Sequence, residues 1–177
     1  KKFLKILSIG RLVYQKDHLT ILRALNLIKG KKKFKFCLIG KGNQKENLKI
    51  FIRQNDLENN VKLLGYKKNV YPYYKKADLF ILSSIYEGFG NVLVEALQHK
   101  CPVITSNCKS GPMEIIENGK YGYYFNVGDY YELSNKIIKF IKNPKDLRKK
   151  TIQFKKIIKR FSLKENSNNY EKLFRQI

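Results

Sequence analysis

Leu79-Phe80-Ile81-Leu82-Ser83-Ser84-Ile85-Tyr86-Glu87-Gly88-Phe89-Gly90-Asn91-Val92-Leu93-Val94-Glu95-Ala96 runs an apolar segment through a glycine-bearing loop into a segment of helical period. Leu79 to Leu82 is unbroken hydrophobe, as a strand covered on both faces requires. Val92 to His99 reads as a helix. Gly88 and Gly90 flank Phe89, so the backbone between strand and helix can turn tightly and expose its N–H groups. Glu87 sits in that loop. Glu95 lies about one turn inside the helix, at about 1.5 Å of rise per residue. Both carboxylates therefore stand near one helix N-terminus. Carboxylates accept hydrogen bonds from sugar hydroxyls, and a helix N-terminus attracts phosphate. A group carrying both would be well matched. Taken alone, Glu95 also fits the role of a helix-dipole carboxylate.

The same strand-loop-helix unit recurs on either side. Strands are expected at Phe3 to Ile9, Phe34 to Ile39, Val61 to Leu64, Val103 to Ser106 and Gly122 to Phe125. Between them come helices: Leu19, Leu22, Leu25 and Ile28 at helical spacing, then Gln44 to Gln54, Tyr71 to Lys76 and Met113 to Glu117. Helix fills most of the chain from about Tyr131 on. Such alternation predicts an α/β fold, a Rossmann-like three-layer sandwich with a parallel sheet of about six strands. Ligands of these sheets bind beyond the carboxyl ends of the strands. The segments after Ile9, Ile39, Leu64, Leu82 and Thr105 are thus the places to search.

After the first strand, Gly10-Arg11-Leu12-Val13-Tyr14-Gln15-Lys16-Asp17 puts two cations into a loop that opens a helix. That suits a diphosphate; a solvated loop explains the segment too when it is read alone. After the second strand, Gly40-Lys41-Gly42-Asn43 reads by itself as an ordinary tight turn, with a phosphate-side or nucleoside-side loop as the alternative, and it lacks the third glycine of a dinucleotide fingerprint. After the fifth, Ser106-Asn107-Cys108-Lys109-Ser110-Gly111-Pro112-Met113-Glu114 again runs through a glycine to a helix, with Glu114 in a cap region.

The chain has 177 residues, 43% hydrophobic and 29% charged, which points to one globular domain and excludes disorder, collagen and coiled coil. No apolar run reaches the roughly 18 residues a membrane span needs, and the apolar stretch within Lys1 to Arg11, short and without a small-residue cleavage site, is not expected to act as a signal peptide. A cytoplasmic location is expected, either free or peripheral at the inner face of the cytoplasmic membrane. Lys plus Arg is 37 against 14 Asp plus Glu, a net +23 that favours polyanionic partners or an anionic membrane surface. Lys outnumbers Arg 31 to 6, however, and phosphate-clamping surfaces favour the Arg fork. Codon bias of an AT-rich genome explains part of the charge. The stretch 136–177 holds 14 basic and 3 acidic residues among Leu147, Phe154, Ile157, Ile158 and Phe161. It reads as a terminal helix with one buried face, or as a contact for anionic lipid. Cys37, Cys101 and Cys108 have no metal spacing and read as small buried hydrophobes in a reducing compartment. His18 and His99 have no ligand spacing and read as structural.

One ordered series decides the resemblance: Gly10-Arg11 with Lys16-Asp17, Ala77-Asp78 leading a strand into Ser83, Glu87-Gly88-Phe89-Gly90 with Glu95-Ala96, Pro102-Val103-Ile104, and Gly111 with Glu114. It closely resembles the carboxyl-terminal, donor-binding domain of retaining glycosyltransferases of the GT-B fold, family 4 (glycosyl transferases group 1). Seven residues separate the two glutamates, as in that family, and the resemblance covers nearly the whole chain. It implies a nucleotide-sugar domain over 1–160 and a terminal helix over 161–177 that packs back toward an amino-terminal acceptor domain. By resemblance, Arg11 and Lys16 neutralise the donor diphosphate in place of a metal, and Glu87 binds hydroxyls of the transferred sugar. These three form the expected catalytic set. The implied donor contacts are Gly10, Arg11, Lys16, Gly42, Tyr66, Lys67, Glu87, Gly88, Phe89, Gly90, Asn91, Val92 and Glu95. Glu95 would hold the ribose, and Tyr66 and Lys67 would lie beside the base. Ser110-Gly111-Pro112 stands where many relatives have two glycines. No metal and no cofactor are expected, and the donor would be a UDP- or GDP-sugar used in cell-surface polysaccharide synthesis. The family's catalytic histidine belongs to the other domain, and neither His18 nor His99 matches it.

Two other readings compete. A nucleotide-sugar epimerase or a phosphorylase of the same fold would turn over donor without a separate acceptor or would need a pyridoxal-phosphate lysine. A nucleic-acid module would interleave aromatics with Arg on one exposed surface, and Arg is scarce here.

Overall fold

The computed structural model describes residues 3–161 and residue 167. Six strands, β1 (Leu4–Ile9), β2 (Phe34–Ile39), β3 (Val61–Leu63), β4 (Leu79–Leu82), β5 (Val103–Ser106) and β6 (Tyr123–Phe125), form one parallel sheet in the order β3-β2-β1-β4-β5-β6. The expected α/β fold and strand count hold. The helices that connect or follow the strands are α1 (His18–Ile28), α2 (Lys45–Gln54), α3 (Tyr71–Lys76), α4 (Asn91–Gln98), α5 (Pro112–Ile115), α6 (Tyr130–Lys142) and α7 (Pro144–Gln153). Strand order reverses between β1 and β4, and this switch point opens a crevice at the carboxyl ends of both.

The sheet divides two apolar layers. On one side Leu4, Ile6, Phe34, Phe36, Leu38, Ile81 and Phe125 pack under α1, α2 and α6, which contribute Leu22, Leu25, Leu48, Leu133 and Phe140. On the other, Leu7, Ile9, Ile39, Phe80, Leu82 and Val103 pack under α3, α4 and α5, with Phe154 from the turn after α7. Parallel strands bury both faces beneath crossover helices, which is why β4 and β5 are buried at every position. Leu93 and Leu97 of α4 are fully covered, and truncating either to Ala costs about 2–5 kcal/mol.

Helix starts follow the side chains. Asp17 sits left-handed at φ 41° and caps α1, accepting from the Thr20 N–H at 3.3 Å and the Thr20 hydroxyl at 2.6 Å. Asp129 caps α6 through the Glu132 N–H at 2.7 Å. Pro144 at the first turn of α7 separates it from α6. Differences from the sequence reading are small. α4 begins at Asn91, one residue early, because Gly90 at φ 96° turns the chain directly into it. α5 ends at Ile115, since Glu117 and Asn118 adopt positive φ. The expected terminal helix over 161–177 lies outside the described residues apart from its first residue and residue 167.

Candidate functional site

Beyond the carboxyl ends of the strands, the loops are bonded to one another in sheet order. Gly40 N–H donates to Gly65 O at 2.9 Å, joining the loops after β2 and β3. Leu12 N–H donates to Lys41 O at 2.8 Å, joining those after β1 and β2. Ile85 N–H donates to Gln15 O at 2.8 Å, crossing the switch point from β4 to β1. Asn107 N–H donates to Phe125 O at 2.8 Å on the far side. Glycine is required where backbones approach. A Cβ on Gly42 would stand 2.2 Å from Leu12 O, and one on Gly40 would stand 1.8 Å from Gly10 O. Gly42, expected as a donor contact, thus also has a packing reason to be glycine.

The centre of the crevice is an ion pair between the two switch-point loops. Lys16 Nζ lies 2.5 Å from Glu87 Oε1, and the Lys16 and Glu87 side chains are only 15% and 7% exposed. The Ser84 hydroxyl donates to the same carboxylate oxygen at 2.6 Å. Ser83 reaches the other way, its hydroxyl 2.9 Å from both Lys16 O and Asp17 O. Ser106 Oγ donates to Ser84 O at 2.6 Å. Ser110 Oγ donates to Glu87 O at 2.8 Å, and the Gln15 amide to Tyr86 O at 2.9 Å. Ser83, Ser84 and Ser106, buried at the strand ends, and Ser110, exposed on its loop, thus fix both loops. Nothing in the sequence marked Ser84, Ser110 or Gln15 for this, except that polar residues at the ends of apolar strands need partners.

Arg11 is exposed at the crevice rim, and its carbonyl accepts from His18 Nε2–H at 3.2 Å. His18 is buried, and burial lowers its pKa to about 4, so it is neutral and structural. Gly90 at φ 96° opens α4 and leaves the first N–H groups of that helix facing the loop end. Gly88 and Asn91 are exposed, while Phe89 and Val92 are half-buried. Glu95 stands one turn further and accepts from the Tyr74 hydroxyl at 3.0 Å. Tyr74 is buried, and burial together with the Glu95 carboxylate pushes its phenol pKa far up, so it is always a donor there. Tyr66 and Lys67 are exposed beyond β3, with Lys41 Nζ 5.9 Å from the Tyr66 ring centre. Gly111, at φ 41°, brings its loop against the Phe89 backbone. Gly10, Arg11, Lys16, Glu87 through Val92 and Glu95 therefore lie on loops or helix starts at one end of the sheet. Cys101 and Cys108 are buried as expected, and Cys37 is half-buried. Among the described residues, no three His, Cys, Asp or Glu side chains form a group that could hold a metal ion.

The family model for glycosyl transferases group 1 matches residues 1–157. The chain belongs to that family. Its group 1 relatives include an N-acetylgalactosamine-N,N'-diacetylbacillosaminyl-diphospho-undecaprenol 4-alpha-N-acetylgalactosaminyltransferase of Campylobacter jejuni, 37% identical over 122 residues, which are 69% of this chain and 33% of the relative. A poly(glycerol-phosphate) alpha-glucosyltransferase of Bacillus subtilis is 31% identical over 159 residues, 89% of this chain and 24% of the relative. Among solved structures, HepE of Anabaena in complex with UDP-glucose superposes with TM-score 0.87 at 27% identity, covering 97% of this chain and 48% of that one. A TarM variant of S. aureus in complex with Fondaparinux, alpha-GlcNAc-glycerol and UDP gives TM-score 0.88 at 27% identity, over 98% and 36%. The group 1 chain described here therefore spans a quarter to a half of the length of these proteins.

Proposed function

We propose that this chain is the donor-binding, carboxyl-terminal domain of a family 4 retaining glycosyltransferase. It takes a UDP- or GDP-sugar whose glycosyl group passes to a glycan or lipid-linked acceptor in cell-surface polysaccharide synthesis. The observation that carries the reading is the Lys16–Glu87 pair at the switch point, beside Arg11 and the start of α4. Cations that meet a diphosphate and a carboxylate that meets sugar hydroxyls are already adjacent there. Relatives named for glycosyl transfer and neighbours holding UDP or UDP-glucose support it.

Donor binding redistributes the pair. Lys16 and Arg11 turn to the diphosphate and stabilise the charge that grows on it as the glycosyl bond breaks. Glu87, freed of Lys16 but still held by Ser84, accepts from sugar hydroxyls. The α4 N–H groups cover the phosphates, and Glu95, oriented by Tyr74, takes the ribose. Arg11 and Lys16 supply the charge that a metal supplies elsewhere, and no cofactor enters. The acceptor and the catalytic base come from an amino-terminal domain of the same protein, so this domain alone binds donor without transferring it. Among the described residues no helix is long and apolar enough to cross a membrane. The enzyme works at the cytoplasmic face, where the basic excess suits peripheral contact with anionic lipid, and nucleic acid is no partner.

Calorimetry with UDP, GDP and their sugars tests this. Saturable binding of one nucleotide, unchanged by EDTA and weakened in Arg11→Ala and Glu95→Ala, is the expected result. A folded protein that binds none of them in either the isolated chain or the longer protein sinks the reading.

A further inference from the structure

Between Glu87 and Asn91 the loop has one side chain, Phe89, because Gly88 and Gly90 carry none. Its backbone is braced on one side, where Ser110 Oγ donates to Glu87 O at 2.8 Å and Gly111 lies against the Phe89 backbone. Its half-buried ring meets another aromatic ring, that of Phe161, with centres 5.7 Å apart and planes tilted by 47°. Phe161 stacks in turn on Phe154 at 5.5 Å and 15°, and Phe154 meets Tyr121 edge-on at 5.6 Å and 77°. Phe154 and Tyr121 are buried in the apolar layer under α3, α4 and α5. A run of rings thus leads from the core to the donor loop, and Phe161 is the link between its two ends.

Phe161 ends two short turns that follow α7, Phe154–Lys156 and Ile158–Phe161. Within them the Ile157 N–H donates to Phe154 O and the Arg160 N–H to Ile157 O, both at 3.0 Å. Arg160 also pairs with Glu117 at 2.9 Å, a surface pair of small worth. What seats the segment is therefore the packing of Ile157, Ile158 and Phe161 on the same layer as Phe89. Phe89 and Phe161 are each half-buried, so neither is fixed by the core alone. A tilted ring pair adds attraction beyond the area it buries. Close packing leaves no gap into which one ring can move without the other.

We propose that Phe161 is a positioning residue for the donor loop, acting through the Phe89 ring, and that this loop and the segment Ile158–Phe161 order together. The proposal rests on the donor reading above, in which the N–H groups of Gly88 to Asn91 meet the donor. Phe89 sits in the middle of those groups, so the seat of its ring sets their direction. A nucleotide that fixes the loop then also fixes the segment after α7. The coupling is reciprocal, so a change in that segment alters nucleotide affinity by the same factor.

Hydrogen exchange on the full chain, followed by NMR, tests both halves. Without nucleotide, Phe161→Ala should speed exchange at the Leu93 amide, which is bonded to Gly90 O at 2.8 Å. The Leu12 amide, bonded to Lys41 O at 2.8 Å across the same crevice, should be unaffected. Equal acceleration at the two would make Phe161 a general stabiliser and overturn its positioning role. In the parent, saturation with UDP or GDP, whichever binds, should slow exchange at the Ile157 and Arg160 amides. Unchanged exchange there in the saturated protein would overturn the coupling. By calorimetry Phe161→Ala should weaken that nucleotide by up to about tenfold. Phe161→Tyr, which keeps a ring, should restore it, and Phe140→Leu, in the opposite layer, should leave it unchanged. A parent that binds neither nucleotide sinks the donor reading, while the exchange at Leu93 and Leu12 still decides whether Phe161 holds the loop.

Discussion

Lys16 and Glu87, 71 residues apart, form a nearly buried ion pair at 2.5 Å that ties the first strand loop to the fourth. Removing one partner leaves a charge stranded out of water. Lys16→Met should therefore destabilise the fold by about 3 kcal/mol. Lys16→Met/Glu87→Gln should recover most of that, since Ser84 can still bond the amide. Urea unfolding of the two variants decides it, and no recovery in the double variant would mean that the coupling is not electrostatic. Neither variant should bind donor well.

Tyr74 positions Glu95 without reaching the crevice itself. Its hydroxyl lies 3.0 Å from Glu95 Oε2 and 3.2 Å from Val92 O. Tyr74→Phe removes one hydrogen bond to a carboxylate, about 1.5–3 kcal/mol in strength. We expect nucleotide affinity to fall about tenfold by calorimetry. Affinity for UDP equal to that of the parent would show that Glu95 needs no such support.

His18 makes stability depend on pH. Burial lowers its pKa from 6.5 to about 4. The unfolded chain takes up a proton below pH 6.5 that the folded chain refuses until about pH 4. Stability is therefore full above pH 6.5 and falls as pH drops from 6.5 to 4, by about 3 kcal/mol. Asp17, raised by burial, works in the opposite sense around and above its ordinary range. The difference between parent and His18→Gln across this window isolates the histidine. Parallel stability curves for the two proteins would refute the assignment.

Gly111 holds its loop against Phe89 at φ 41°, and a Cβ there would stand 2.2 Å from Phe89 O. Gly111→Ala must displace the Glu87–Gly90 loop. We expect a destabilisation of about 2 kcal/mol and loss of donor binding. Gly88→Ala, where a Cβ meets nothing within 4 Å, should leave stability unchanged within about 0.5 kcal/mol. Equal effects at the two positions would remove the steric explanation.

Periodicity placed β2, β4 and β5 at their observed bounds because short apolar runs rich in β-branched and aromatic residues end at Gly, Ser or Asn. It could not place strands beside one another. Lys16 and Glu87 were each legible as candidates, but their pairing depends on the sheet order. The phenol of Tyr74 on Glu95 was hidden for the same reason, inside a short Tyr-Pro-Tyr-Tyr segment that reads only as a helix start. The sequence reading put helices from about Tyr131 onward without dividing them; the break between α6 and α7 falls at Asn143-Pro144.

Because each loop at the crevice is laced to the next, from Gly65 through Lys41, Gln15 and Ser110 to Phe125, none can change length by itself. An insertion after one strand would drag its neighbours out of register. Diversification of the pocket is thereby confined to exchanging side chains on a fixed belt. The turns at the other end, such as Gly30 to Lys33, where a Cβ on Gly30 would meet nothing within 4 Å, are free to grow.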